Sequence, residues 1–199
     1  EKGHHHPGLR GVLDLRGKTD IRQLVRLVHH AQGVLSPVTL LMHLAAAVPV
    51  RPGMPKNRPC VVVAGGREPA QWEAYPHHQY LHTNGALSCC DQGGCWKSRV
   101  VPLGDGDAKD QPPKLCTQVV HLRDRKLNYT RAHQDPLPPH ALPTAKGRVL
   151  TDYLPRCLDM ITADDVIRAI ERYFDGGVVR YLEGGEADVA HLAVNLKEC

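Results

Sequence analysis

Runs of basic residues, long apolar stretches and aromatic side chains are all scarce in this chain. Its 25 Lys and Arg are set among 21 Asp and Glu, for a net charge of +4, and aromatics make up 5%. Neither a clustered Lys/Arg run nor aromatics interleaved with basic residues occur, which excludes the usual nucleic-acid surface. No apolar run nears the roughly 20 residues of a membrane-spanning helix. The start, Glu1-Lys2-Gly3-His4-His5-His6-Pro7, lacks the apolar core of a signal peptide. These absences describe a soluble, cytoplasmic chain with no nucleic-acid partner and no transmembrane segment. His4-His5-His6 fits a tag remnant, a metal-binding tract or a surface segment and is assigned no function. Seven cysteines, an odd count without a secretory signal, argue for reduced thiols or a metal rather than a disulfide framework.

What is present is enough for one domain over residues 1–199, since 42% of the residues are hydrophobic. Gly11-Val12-Leu13-Asp14-Leu15 alternates like a strand, Gly17 turns, and Thr19 or Asp20 caps a helix through Ile21, Leu24, Val25 and Val28. Gly33-Val34-Leu35 predicts a short strand, and Thr39 to Val48 a helix apolar on nearly every side. Cys60 to Ala64 predicts a strand without polar alternation. Elements of this kind are buried on both faces, which implies a layered α/β sheet. Residues 84–156 lose periodicity and read as a long irregular insertion rich in Cys and Pro. Within it, Gly104 to Asp110 resembles a calcium loop only superficially, lacking the closing Glu and flanking helices, and reads as a solvated turn. His133 to Pro143, with four prolines, reads as mobile. Thr162 and Asp165 form a capping-box pair before Val166, Ile167, Ile170, Tyr173 and Phe174 on one helical face. Gly176-Gly177 ends that helix, and Val189, Leu192, Ala193 and Leu196 mark a second amphipathic segment, giving C-terminal helices across 162–199.

The stretch from Ser36 to Ala47 leads from a strand into an apolar helix that opens on Thr39 and carries one imidazole, His43. Free helix N–H groups at the carboxyl edge of a parallel sheet form a site for anions, so this pattern points to a phosphate-bearing ligand. His43 taken alone also fits a satisfied core imidazole, and Met42 reads as core. Arg67, Glu68, Trp72 and Tyr75 follow a strand end and a Gly pair, where ligand loops sit in open α/β sheets. The other reading is a loop closed by Trp72 packing on the sheet, with Arg67 and Glu68 paired to each other. Cys89, Cys95, Cys116 and Cys157, with Cys90 beside the first, could supply four thiolates to a tetrahedral zinc. Adjacent cysteines are awkward joint ligands, and partly buried thiols or a disulfide are the competing reading.

Gly17-Lys18-Thr19-Asp20-Ile21-Arg22-Gln23-Leu24, then Thr39 with His43-Leu44-Ala45-Ala46-Ala47, then Arg67-Glu68-Pro69 with Trp72 and Tyr75-Pro76, resembles a known pattern. It is that of the carboxyl-terminal half of family 9 glycosyltransferases, the ADP-heptose:lipopolysaccharide heptosyltransferases. The resemblance spans residues 11–76, resumes at Cys89-Cys90, Cys95 and Cys157, and lapses between about 97 and 150. It implies a Rossmann-like parallel sheet flanked by helices, the C-terminal half of a GT-B enzyme. It also implies an ADP-sugar donor with its diphosphate at Thr39 and His43, no required cofactor, and a location at most peripheral to the inner membrane. The glycan or lipopolysaccharide core acceptor and the catalytic base would belong to an amino-terminal domain. Nothing before Gly11 supplies that domain, so the expectation is a fragment or truncated gene product that binds without catalysing. Val38 and Leu40 replace the Asp and Gly that flank this Thr in the family, and loss of the Gly removes close backbone approach, altering the phosphate grip. The alternative is a non-catalytic carbohydrate-binding or assembly module derived from the fold, with or without zinc.

Overall fold

The computed structural model describes residues 11–54, 57–102, 104–121 and 153–175. Three short strands, β1 (Val34–Pro37), β2 (Cys60–Gly65) and β3 (His78–His82), form a parallel sheet in sequence order with β2 at its centre. Helix α1 (Ile21–His30) precedes β1, α2 (Leu40–Ala47) joins β1 to β2, and α3 (Ala70–Glu73) joins β2 to β3. The architecture is mixed α/β, a parallel sheet flanked by helices. Cys60, Val61 and Val62 are each at most 2% exposed, so alternate residues of β2 are covered on both faces. That is why the strand carries no polar alternation. Register aligns Val34 with Cys60 and His78, and Ser36 with Val62 and Tyr80. On that face Met42 and Ala45 of α2 close against Cys60 and Val62, with Val34, Val38, Tyr75 and Tyr80 around them. Complete burial of a side chain the size of Met42 or Val62 contributes about 1.5–3 kcal/mol.

Local capping follows the sequence closely. Asp20 accepts from the Gln23 N–H at 2.7 Å while the Asp20 N–H donates to the Gln23 side chain at 2.8 Å, fixing the start of α1. Thr162 and Asp165 do the same for α5 (Ala163–Phe174). Helix α5 lies against β2 and is fastened by one hydroxyl. Tyr173 Oη sits 2.7 Å from the carbonyls of Cys60 and His77, its proton shared between them, and accepts the Gln79 N–H at 3.1 Å.

Several expectations are corrected. Gly11 to Leu15 pairs with no described strand, and Val12 and Leu13 are 60% and 79% exposed. Alternation makes a strand only beside a partner edge, and Asp14 instead binds Arg16. Helix α2 buries Met42 and Ala45 but leaves Leu40 and Ala47 exposed. Of the apolar face expected on α5, Ile167, Ile170 and Phe174 are exposed, and the helix buries Ala169 and most of Tyr173. The stretch 84–156 is not wholly irregular. Single 3-10 turns occupy Ser88–Cys90, Ala108–Asp110 and Pro112–Lys114. Strand β4 (Val119–His121) pairs antiparallel with β5 (Tyr153–Pro155), which runs into α4 (Arg156–Asp159). Strands of three residues are too short to show a period. His4-His5-His6, His133 to Pro143 and the segment through Val189, Leu192, Ala193 and Leu196 lie outside the described residues. Among the described residues no helix is long and apolar enough to cross a membrane.

At the carboxyl end of α2 the fold depends on a residue with no pattern to announce it. Arg58 is 2% exposed and donates to the carbonyls of Ala45 (3.1 Å), Val48 (2.9 Å) and Pro49 (3.1 Å). Burial pulls its pKa down, and its neighbours are carbonyls at the negative end of a helix rather than a carboxylate. Replacing Arg58 with Met leaves three carbonyls without this donor and is expected to cost about 2–4 kcal/mol. Urea unfolding of Arg58→Met tests this, and a loss under about 1 kcal/mol contradicts it.

Candidate functional site

The carboxyl ends of β1 and β2 open on one edge, where α2 begins and the Gly66–Glu68 turn leaves the sheet. Thr39 is the cap residue of α2 in extended conformation, yet its side chain makes no bond to the helix N–H groups. Its Oγ1 lies 3.0 Å from Ser36 Oγ and 3.4 Å from the Pro37 carbonyl, because the buried Ser36 hydroxyl, bonded to Pro37 O at 2.7 Å, draws it toward the strand. The first amides of α2 thus have no side-chain cap, at an end where the helix dipole favours an anion.

One turn along, His43 keeps 44% of its side chain exposed and is not a core residue. Its Nδ1 is 2.9 Å from Tyr75 Oη, with the two rings edge to face, and its Nε2 is 3.8 Å from Glu73 Oε2. Tyr75 leans on the core cluster and on the His78 ring, centroids 5.0 Å apart, so His43 is tied to a packed residue. The structure thus brings His43 and Tyr75 together and adds Glu73, His78 and Tyr80, which sequence reasoning assigned no role. Glu73 stood inside a stretch already singled out. The other two lie on β3, where only the sheet register reveals that they share the face of α2. Tyr80 Oη is buried without a hydrogen-bond partner. Burial, then the charges of Glu73 and Glu68, push its pKa up to about 12.

Arg67 and Glu68 do pair with each other, and Arg67 Nε also donates to the Lys97 carbonyl at 2.8 Å. Trp72 does not pack on the sheet: it is 71% exposed and meets Trp96, ring centroids 5.4 Å apart. Trp96 was missed, and its one signal is an aromatic two residues after the Gly93-Gly94 pair.

The six cysteines among the described residues are free thiols in several settings. Cys60 is core, and burial pushes its thiol up to about 12. Cys90 and Cys157 are buried beside Gly66 and Gly65. Cys116 donates to the Gln118 carbonyl at 3.1 Å. Cys89 and Cys95 are half-buried. Among the described residues no three His, Cys, Asp or Glu side chains converge in a metal-holding group. The Gly104–Asp110 turn is organised on a guanidinium. Arg99 donates to both oxygens of Asp105 (2.7 and 2.8 Å) and to Asp110, holding the Asp105 carboxyl down to about 2. No protein-family model, curated protein or solved structure matches the chain.

His78 sets a pH dependence. It is 8% exposed and neither ring nitrogen has a hydrogen-bond partner. Burial, then the nearby His77 and His43, lower its pKa from 6.5 to about 4. Between those values the unfolded chain holds the extra proton, so stability falls as pH drops from 6.5 toward 4, by up to about 3 kcal/mol from this residue. Urea midpoints of wild type and His78→Phe at pH 7 and pH 5 should show a clearly smaller loss in the variant. Equal losses contradict the assignment.

Proposed function

We propose that this chain is the donor-binding half of a glycosyltransferase of the family 9, GT-B type, taking an ADP-linked, heptose-like sugar for transfer to a glycan. One observation carries the reading. The uncapped start of an eight-residue helix stands at the carboxyl edge of a parallel sheet, with a half-exposed imidazole one turn along it. Support comes from the resemblance over residues 11–76, in which Thr39 and His43 stand at the diphosphate.

In this reading the ADP diphosphate meets the Leu40 and Leu41 amides, and His43 Nε2 donates to it. Tyr75 holds Nδ1 and so orients the ring. As the bond from the sugar anomeric carbon to the diphosphate oxygen breaks, charge grows on that oxygen and the fixed donors stabilise it. The acceptor hydroxyl forms the new bond and loses its proton to a base on the acceptor lobe of such an enzyme. The 199 residues are therefore expected to bind donor without turnover. Leu40 is 54% exposed where the family has Gly, which favours a second reading of the same fold as a binding module with a weakened phosphate grip.

Glu73 competes with the incoming phosphate for His43. In calorimetry with ADP, His43→Ala should weaken binding about tenfold, the loss of a charge-assisted hydrogen bond. Glu73→Gln should tighten it several-fold by removing a like charge. Wild-type binding that neither substitution alters, or an absence of binding, contradicts the proposal.

A further inference from the structure

We infer that Trp72 and Trp96 form a stacking platform for the pyranose ring of a carbohydrate. The inference rests on reading this edge as the sugar-handling end of a transferase. These are the only two tryptophans of the chain. They come from separate segments, meet with ring centroids 5.4 Å apart, and remain 71% and 47% exposed. Two large apolar rings in contact on the surface forgo burial that a core position would provide, which marks a surface for a ligand.

Backbone strain supports a role outside stability. Trp96 is the one non-glycine with positive φ, +53°, among the described residues, and bulky side chains rarely adopt that conformation. The loop is held there from below. The Cys95 N–H donates to Gly66 O at 3.1 Å and the Trp96 N–H to Arg67 O at 3.0 Å. Gly94 packs so closely that a Cβ would stand 2.9 Å from Arg67 O. A strained backbone that fixes an exposed aromatic is the pattern of a ligand clamp.

The surroundings select the ligand. Arg67, exposed and paired with Glu68, flanks the platform and reaches the residue after Trp96 through Lys97 O. A guanidinium and a carboxylate side by side suit the vicinal hydroxyls of a sugar. The two rings are inclined at 53°, so a flat base could lie on one of them only. A puckered pyranose, with C–H bonds on both faces, can touch both. Glu73, next to Trp72, lies 3.8 Å from His43, which places the platform beside the proposed diphosphate site.

Because the chain has no other tryptophan, its intrinsic fluorescence reports on this pair alone. The full chain would be titrated with methyl glucoside, methyl mannoside, methyl galactoside and a heptose-containing core oligosaccharide, with adenosine as the flat competitor. At least one saccharide should change the emission saturably, with affinity falling about tenfold in Trp72→Ala. Trp96→Gly should abolish the response while its urea midpoint stays equal or rises, since Gly suits the positive φ. The inference is overturned if no saccharide perturbs the fluorescence, if the response survives Trp96→Gly, or if adenosine alone perturbs it. Calorimetry with ADP separates the two readings. Absent ADP binding beside a saccharide response removes the donor site and leaves the platform, and the reverse removes the platform alone.

Discussion

Close backbone approach at Gly65 and Gly66 determines what the carboxyl edge of the sheet can be. Gly65 has φ +66°, and a Cβ there would lie 2.9 Å from the Leu158 side chain and 3.2 Å from Cys157 Sγ. At Gly66 it would lie 3.0 Å from Cys90 Sγ. With no side chains in the way, segments distant in sequence settle on the end of β2. The Thr83 N–H reaches Gly65 O at 3.0 Å, the Cys95 N–H reaches Gly66 O at 3.1 Å, and the Thr83 hydroxyl bonds Cys157 O at 3.0 Å. Buried Cys90 and Cys157 are explained by this fit: small, apolar and close-packed, they fill the space that the glycines leave.

Helix α2 links the stability of the fold to the proposed site through its own polarity. Its carboxyl end is buried and neutralised by Arg58, and its amino end is exposed and left without a side-chain cap. Between them Met42 and Ala45 lock the helix to β2, so the open end is held rigidly against the sheet edge. Rigid support beneath an unsatisfied helix terminus is what an anion site requires.

Much of this was legible from residue order. The β-branched run at 60–64, a cap at Thr19 or Asp20, the capping pair at Thr162 and the helix opening at Thr39 are local signals, and the structure places elements there, choosing Asp20 as the first cap. The failures share a cause, which is that their determinants are non-local. Val12 and Leu13 alternate but have no partner edge among the described residues. The three-residue strands β4 and β5 exist through pairing with each other. Arg58, His78, Tyr80 and Trp96 acquire meaning from the segments that fold over them, and no spacing within one segment reveals that. In the loop after β2, Trp72 turns to Trp96 rather than to the sheet, a contact between segments that residue order does not show.

The central claim, that this edge receives a phosphate at the start of α2, is tested most directly by mapping amide chemical shifts of the ¹⁵N-labelled chain during titration with ADP. The account predicts saturable shifts concentrated at Thr39, Leu40, Leu41 and His43 and continuing into the loop from Arg67 to Tyr75. Shifts centred elsewhere on the chain, or none at millimolar ADP, would contradict it.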